Sequence, residues 1–206
     1  VFGLRPIDVH IRGLEALGAE ISLENGNIRA TVPPGGLTGA RMYLGSAFGS
    51  TVLGTANVLM AATLAKGMTQ IQGAACEPEI VALAEQLNAM GARISGHGSP
   101  IIEIEGVDEL GGADVDVIPD RIEAGTFLIA AAITRSPLRV EPVIADHLNA
   151  VLQKLRDCGC RLDVDERGIT IHPGNLQAVD ITTQPFPGFP TDLQAPFMTL
   201  LATVPG

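Results

Sequence analysis

Three runs of apolar residues recur at three- or four-residue spacing, and each run ends at a glycine. The glycines are Gly18, Gly91 and Gly159. This spacing predicts amphipathic helices. A glycine directly after the last apolar residue readily adopts the left-handed conformation that ends a helix. The chain is therefore predicted to contain three helices that stop at these residues.

The residues after these glycines predict β-hairpins. Residues 19–23 and 28–32 are short segments in which apolar and polar residues alternate, as in strands with one buried face. Residues 24–27, with the sequence ENGN, suit a tight hairpin turn. Residues 166–168, with the sequence ERG, are expected to form the corresponding turn after Gly159.

The segments that contain these glycines align with one another, which indicates an internal repeat of supersecondary size. They cover residues 14–44, 87–118 and 155–183. Each segment is expected to end in a third strand. A further unit begins near Pro190, and the chain ends at Gly206, so we expect the chain to begin and end inside repeat units.

Two further helices are predicted from nearly continuous apolar sequence, at residues 54–67 and 125–136. A helix that is apolar on every side is typical of a helix buried on every side. We therefore expect both helices to be enclosed by the sheets of several repeats. Helices alternating with short strands predict an α/β fold.

Composition and charge limit the kind of core, the binding partners and the cellular location that the chain can have. Hydrophobic residues make up 46% of the chain but aromatic residues only 3%, so the core must consist of small aliphatic side chains. The formal net charge of -10 argues against nucleic acid as a partner. No apolar run reaches membrane-spanning length and no secretory signal pattern is present, so a soluble, cytoplasmic protein without membrane insertion is expected.

The cysteines and histidines do not have the spacing of a metal site. Cys76, Cys158 and Cys160 lack zinc-ligand spacing and are expected to be reduced residues of the core. The histidines are His10, His97, His147 and His172. We expect no metal and no cofactor.

Four separated motifs, in this order, resemble the UDP-N-acetylglucosamine enolpyruvyl transferases of the EPSP synthase-like enolpyruvyl transferase family. They are RPIDVH at 5–10, CEPEIVALAEQLNAMGA at 76–92, PDRIEAGTF at 119–127 and PGFPTDLQAP at 187–196. The resemblance covers almost the whole chain, but only about the middle half of a family member.

The resemblance implies a fold and a reaction. The fold is an inside-out α/β barrel pair built from βαβαββ units, of which this chain supplies part. Residues 1–118 are expected to belong to the catalytic-loop domain and residues 119–206 to the second domain. The reaction is transfer of the enolpyruvyl group of phosphoenolpyruvate to the 3′-hydroxyl of UDP-N-acetylglucosamine, with release of phosphate, by addition and elimination.

The resemblance also implies catalytic roles for Arg5 and Asp192. Arg5 matches an arginine that contacts the phosphoenolpyruvate-derived group, and its planar guanidinium can pair with two anionic oxygens. Asp192 matches a carboxylate beside the sugar hydroxyl, where it can orient the hydroxyl and accept its proton. On residue type alone, Arg5 is equally typical of a surface arginine, and Thr191 or Asp192 of an ordinary helix N-cap.

Two blocks of residues are implied to contact the sugar nucleotide. They are Arg5, Pro6, Ile7, Asp8 and Val9, and then Gly49, Ser50, Thr51 and Val52. The second block precedes an apolar helix, whose free amides can face a diphosphate. Many family members have Lys or Pro near Gly49 and Gly in place of Leu53, and such a cluster is also typical of a plain loop before a helix.

Asp120 and Arg121 match a family motif, but a salt-bridged helix start is the favoured interpretation for them. The loop cysteine or aspartate that reacts with phosphoenolpyruvate in the family would stand just before Val1. We therefore expect these residues alone to be inactive and to require the remainder of the polypeptide as a partner.

Two other functions remain open from the sequence. The 3-phosphoshikimate enolpyruvyl transferases share the fold, and testing the acceptor separates them from the nucleotide-sugar enzymes. A non-catalytic repeat scaffold is the second alternative. A DNA clamp would need basic inner helices, and residues 54–67 and 125–136 have almost no basic residues.

Overall fold

The computed structural model describes residues 7–46 and 49–205. The chain divides into two compact units, Val1–Asp116 and Val117–Gly206. The assignment of residues 1–118 and 119–206 to two domains of an enzyme stays a prediction. Among the described residues, no helix is long and apolar enough to cross a bilayer.

The first unit consists of helices and strands in alternation. In chain order they are α1 Asp8–Ala16, β1 Glu20–Glu24, β2 Asn27–Thr31, β3 Arg41–Tyr43, α2 Val52–Ala62, β4 Met68–Gln72, α3 Pro78–Ala89, β5 Arg93–Ser95 and β6 Ile101–Glu105. Strands β1 and β2 form an antiparallel pair. The other four strands form one sheet in the order β3-β4-β6-β5, in which only the β3–β4 pair is parallel.

The second unit has a smaller sheet. Its elements are α4 Arg121–Thr134, β7 Leu138–Val140, a 3-10 helix at Ala145–Leu148, α5 Asn149–Asp157, β8 Cys160–Val164, β9 Ile169–Pro173, a 3-10 helix at Thr191–Leu193 and α6 Gln194–Leu201. The sheet order is β7-β9-β8, with both pairs antiparallel.

The predicted helix ends and hairpins are confirmed. Gly18, Gly91 and Gly159 follow α1, α3 and α5 with φ angles of 92°, 103° and 103°. Asn25 and Gly26, between β1 and β2, also have positive φ angles, of 50° and 81°, which a two-residue type I′ hairpin turn requires.

The prediction of a third strand in every repeat is wrong for two of the three segments. The first segment ends in β3, whereas the ends of the second and third, near residues 118 and 183, contain no named strand in the described part of the chain. Val117 is 90% exposed there. Alternating sequence alone does not form a strand without a neighbouring strand to pair with.

Complete burial of the two apolar helices is also wrong within the described residues. Helices α2 and α4 bury one face each, centred on Leu59 and Leu128. The opposite faces stay exposed, with Leu53 at 70% and Phe127 at 51%. The sequence is apolar on all sides, but each unit supplies packing partners for only one side.

Each unit has its own core of mainly aliphatic side chains, and the second core also contains Phe189 and Phe197. Cys158 and Cys160 lie in the second core, as predicted, while Cys76 is only half-buried. Burial raises the pKa of Cys160 to about 11 and is also the main cause of the raised pKa of Cys76. These thiols therefore stay protonated near neutral pH, as expected for structural cysteines rather than nucleophiles.

Candidate functional site

The first predicted ligand block lies at the start of α1. Ile7 is the N-cap residue and Asp8 the first helical residue, and both are exposed. Val9 is half-buried and packs against the core of the first unit. Arg5 and Pro6 lie outside the described residues.

Helix α1 is held closely against α2. Gly13 is buried, and a Cβ atom at this position would collide with Val58 of α2. One turn earlier, the side-chain amide nitrogen of Asn57 lies at hydrogen-bond distance, 2.9 Å, from His10 Nδ1. The contact joins α1, which begins at Asp8, to α2, which begins at Val52.

The second block begins at Gly49, which is hydrogen-bonded to Ser46. The amide of Ser46 donates to the carbonyl of Gly49 at 2.8 Å, and the amide of Gly49 donates back to the carbonyl of Ser46 at 3.1 Å. The Ser46 hydroxyl also donates to the Gly49 carbonyl at 2.9 Å. Gly49 has a φ of 104°, which few other residues adopt. This conformation gives a local reason for glycine at position 49.

Thr51 is the N-cap of α2. Its hydroxyl accepts a hydrogen bond from the amide of Gly54 at 3.2 Å. Within the described residues, the backbone amides of Val52 and Leu53 have no hydrogen-bond acceptor. Unpaired amides in the first turn carry the positive end of the helix dipole. The start of α2 can therefore accept an anionic group.

Thr55 stabilises the first turn of α2 through hydrogen bonds of its side chain. Its side chain is fully buried, and its hydroxyl donates to the carbonyl of Thr51 at 2.7 Å. The same oxygen accepts a hydrogen bond from the amide of Ala75 at 3.1 Å. A single hydroxyl thus joins the start of α2 to the connection between β4 and α3.

In the second unit, Asp192 occupies the 3-10 helix that precedes α6, and it is exposed. The N-cap interpretation of Thr191 and Asp192 is wrong. Pro190 caps the 3-10 helix and Leu193 caps α6, and neither position has a side-chain cap bond among the described residues. Asp192 is the second residue of the 3-10 helix, so its carboxylate does not cap the start of that helix.

Buried neighbours fix the segment around Asp192. Leu193 is fully buried, and its side chain fills the space that a Cβ atom on Gly125 of α4 would need. Phe189 and Phe197 flank the turn, and their rings make an edge-to-face contact with centroids 5.5 Å apart. The exposed carboxylate of Asp192 therefore lies on a segment whose neighbouring side chains are packed in the core.

The motif at 119–127 meets the motif at 187–196 in this unit. Asp120 caps α4 by accepting from the amides of Ile122 and Glu123, at 2.7 and 3.1 Å. This confirms that Asp120 starts a helix, while the salt bridge expected at this position stays a prediction. The guanidinium of Arg121 is largely buried and lies 5.7 Å from the ring centroid of Phe186, at cation–π distance. Arg121 therefore supports the segment that leads to Asp192.

A cavity of about 400 Å³ lies beside α4 and is lined by Asp120, Glu123, Phe127 and Arg139, among others. Among the described residues that line it, Arg139 is the one cation. Arg139 donates to both carboxylate oxygens of Asp165 at 2.8 and 3.1 Å and also to Glu141, so it is already engaged. These bonds raise the pKa of Arg139 and hold the pKa of Asp165 well below its usual range. The net charge of the lining disfavours an anionic ligand.

In the first unit, α1 and α2 are joined by the hydrogen bond between Asn57 and His10 and by the close approach of Gly13 to Val58. In the second unit, Leu193, the residue after Asp192, packs against Gly125 of the 119–127 motif. Sequence analysis missed Thr55 and Asn57. The signal available was their polarity, since both interrupt an apolar helix. Among the described residues, no group of three or more His, Cys, Asp or Glu side chains could hold a metal ion.

Comparison with known proteins gives consistent results. The family model of EPSP synthase (3-phosphoshikimate 1-carboxyvinyltransferase) matches residues 2–206. The UDP-N-acetylglucosamine 1-carboxyvinyltransferase of Prochlorococcus marinus (strain MIT 9313) is 62% identical over an alignment of 206 positions, which covers 99% of this chain and 47% of the relative. The enzyme of the same name from Coxiella burnetii (strain Dugway 5J108-111) is 51% identical over 99% of this chain and 46% of its own length.

Solved structures show the same fold. The enolpyruvyl transferase NikO from Streptomyces tendae matches with a TM-score of 0.86 and 23% identity, over 98% of this chain and 50% of NikO. EPSP synthase from Acinetobacter baumannii matches with a TM-score of 0.59 and 24% identity, over 88% of this chain and 42% of that protein. The chain thus has an α/β enolpyruvyl transferase fold and spans about half the length of the relatives it matches.

Proposed function

The chain belongs to the EPSP synthase (3-phosphoshikimate 1-carboxyvinyltransferase) family, and from that membership we propose that it forms part of an enolpyruvyl transferase. The reaction moves the enolpyruvyl group of phosphoenolpyruvate to the 3′-hydroxyl of UDP-N-acetylglucosamine and releases phosphate, as a cytoplasmic step of peptidoglycan synthesis. The observation that carries the proposal is 62% identity, over almost the whole chain, to a relative named for this reaction.

The nucleotide sugar is favoured over 3-phosphoshikimate as the acceptor. Eight relatives that are 49% to 62% identical have the nucleotide-sugar name, whereas the EPSP synthase structure is 24% identical. Specificity resides in the site rather than in the shared fold, so the more similar relatives are the better guide to the acceptor.

For the whole enzyme we propose an inside-out α/β barrel pair of repeated βαβαββ units. The order β3-α2-β4-α3-β5-β6 supports this, because it is one such unit in continuous sequence. The two compact units are proposed to belong to two domains, with residues 1–118 in the catalytic-loop domain and 119–206 in the second. The exposed apolar faces of α2 and α4 are consistent with further packing partners in a longer polypeptide.

The sugar nucleotide is proposed to bind at the starts of α1 and α2. Arg5, Pro6, Ile7, Asp8 and Val9 form the first block of contacts. Gly49, Ser50, Thr51 and Val52 form the second, in which the amides at the start of α2 face the diphosphate. The close packing of α1 on α2 supports this assignment, because it fixes the two blocks relative to each other.

Arg5 and Asp192 are proposed to act on the reacting groups. In the addition step, the 3′-oxygen bonds to C2 of phosphoenolpyruvate while a proton is added to its methylene carbon. In the elimination step, the C2–O bond to phosphate breaks and a methyl proton is lost. Asp192 would orient the hydroxyl and accept its proton, and Arg5 would pair with the anionic oxygens of the phosphoenolpyruvate-derived group.

A grafted enzyme tests the catalytic assignments. Residues 2–206 would replace the matching segment of the Prochlorococcus marinus (strain MIT 9313) enzyme, and phosphate release would be measured; we call this protein the graft. We expect Asp192→Asn to lower kcat by about 10² to 10⁴-fold. Asp180→Asn, at another exposed aspartate of the same unit, is the matched control and should leave kcat unchanged.

Arg5→Ala should lower the activity of the graft about a hundredfold or more, because charge-assisted hydrogen bonds to the bound group are lost. Arg29→Ala, at an exposed arginine on β2, is its control. The site assignment is wrong if Asp192→Asn behaves like Asp180→Asn, or Arg5→Ala like Arg29→Ala.

A further inference from the structure

We propose that Thr55 is a positioning residue that fixes the orientation of the Val52 amide at the start of α2. The proposal rests on the proposed function, because it assumes that this amide faces the sugar nucleotide. Thr55 itself is fully buried, so it acts through the backbone of Thr51 rather than by touching the ligand.

The hydroxyl of Thr55 uses both of its hydrogen-bonding capacities. It donates to the carbonyl of Thr51 at 2.7 Å and accepts from the amide of Ala75 at 3.1 Å. The accepted bond comes from a segment 20 residues away in sequence, on the connection between β4 and α3. The amide of Ala75, which lies outside α2, therefore restrains the orientation of the Thr55 hydroxyl. This restraint directs the hydroxyl proton toward the carbonyl of Thr51.

Peptide planarity transmits this restraint to the ligand-facing side. The carbonyl of Thr51 and the amide N–H of Val52 belong to one rigid trans peptide group, so they point in opposite directions. Fixing the carbonyl oxygen therefore fixes the N–H. The Thr51 carbonyl also accepts the helical bond from the amide of Thr55 at 3.0 Å, so the side chain adds a second restraint to the same atom.

A back-bond from a helical threonine to the preceding turn is common and does not by itself indicate a special role. Thr199 of α6 shows the ordinary case, since its hydroxyl donates to the Ala195 carbonyl at 3.0 Å and is exposed. Thr55 differs in its burial and in the additional bond from Ala75. Thr199→Val is therefore a matched control, because it removes only the local bond.

Hydrogen exchange on the 206-residue chain tests the positioning itself. Thr55→Val keeps the shape of the side chain but removes the hydroxyl, and Thr55→Ser keeps the hydroxyl. We expect Thr55→Val to accelerate exchange at the amides of Ala75 and Gly54 by about tenfold, the effect of losing one hydrogen bond. Thr55→Ser and Thr199→Val should retain protection at both amides. Unchanged protection in Thr55→Val would overturn the proposal.

Ligand affinity in the graft tests the functional consequence. We expect Thr55→Val to raise the Kd for UDP-N-acetylglucosamine about tenfold, with the KM for phosphoenolpyruvate unchanged and with affinity recovered in Thr55→Ser. An unchanged Kd in a folded Thr55→Val graft, or an equal loss in Thr55→Ser, would overturn the proposal. If Thr55→Val does not fold, Thr55→Ala is compared with Thr55→Ser in the same two measurements.

The two measurements separate the two hypotheses. If the unaltered graft does not bind UDP-N-acetylglucosamine, the proposed function fails, and the exchange experiment still decides whether Thr55 holds the turn. If the graft binds the nucleotide sugar and Thr55→Val does so equally well, the proposed function stands and the role of Thr55 is refuted.

Discussion

The aromatic pair beside Asp192 gives the most quantitative prediction for the second unit. Phe197 is fully buried and Phe189 is 4% exposed. Their centroids are 5.5 Å apart and their ring planes meet at 88°, so the contact is the favourable edge-to-face arrangement. Because the two residues flank the turn that carries Asp192, their contact stabilises the proposed catalytic segment.

We expect Phe197→Leu and Phe189→Leu each to lower the free energy of unfolding by up to about 1.5 kcal/mol through altered packing. Each change should also remove the ring–ring contribution of about 0.5 to 1.5 kcal/mol. The double variant loses that contribution only once. Its destabilisation should therefore be smaller than the sum of the two single effects by about 0.5 to 1.5 kcal/mol.

Urea unfolding followed by far-UV circular dichroism is the suitable assay, because the chain has no tryptophan and one tyrosine. Met198→Leu is the control, since Met198 neighbours Phe197 on α6 but is 60% exposed, and its effect should stay within about 0.5 kcal/mol. Single effects that add to within about 0.3 kcal/mol in the double variant would refute a specific ring–ring contribution.

Three further changes test other parts of the fold. Thr69→Val should raise the unfolding free energy by about 1 kcal/mol in urea titrations, because the buried Thr69 hydroxyl has no hydrogen-bond partner among the described residues; a loss of stability would contradict this. The lowered pKa of Asp165 means that its carboxylate stabilises the fold above its unfolded-state pKa of about 3.9. That contribution is lost as the pH falls through the lower folded-state pKa, so the difference in melting temperature from Asp165→Asn should shrink below about pH 4, and a constant difference would count against the Arg139–Asp165 pair. Gly159→Ala should lower the melting temperature by the equivalent of about 1 to 2 kcal/mol, because Gly159 has positive φ and a Cβ atom would meet the Asn175 carbonyl; an unchanged melting temperature would exclude this strain.

The elements predicted correctly from the sequence are those whose cause is local. The turn at Asn25 and Gly26 and the helix ends at Gly18 and Gly159 depend on backbone angles that few other residues adopt. Such positions determine structure with little help from distant residues. The hairpins and helix ends could therefore be predicted from the sequence alone.

The predictions that failed depend on partners distant in sequence. The alternating residues before Val117 form no named strand because no neighbouring strand pairs with them in the described part of the chain. Likewise, α2 and α4 have apolar faces that neither unit covers by itself. The pattern of apolar residues shows which faces of a segment can be buried. Whether a face is buried depends on packing partners elsewhere in the chain, which this pattern does not show.

For the candidate site, the sequence indicated the binding segments better than the atoms that support them. The start of α2 was expected to accept a diphosphate, and its geometry is compatible with that expectation. The second bond of the Thr55 hydroxyl comes from Ala75, and no periodicity or local motif connects these two residues. The contact between Arg121 and Phe186 likewise joins the 119–127 motif to a residue that is distant in the sequence, just before the 187–196 motif.

The choice of acceptor is the most direct test of the proposed function. The measurement is phosphate release from phosphoenolpyruvate by the graft, with UDP-N-acetylglucosamine and with 3-phosphoshikimate supplied separately. We expect phosphate release with UDP-N-acetylglucosamine, release at background level with 3-phosphoshikimate, and loss of the first activity in Asp192→Asn. Turnover with 3-phosphoshikimate alone, or turnover with UDP-N-acetylglucosamine that Asp192→Asn leaves unchanged, would contradict the proposed function.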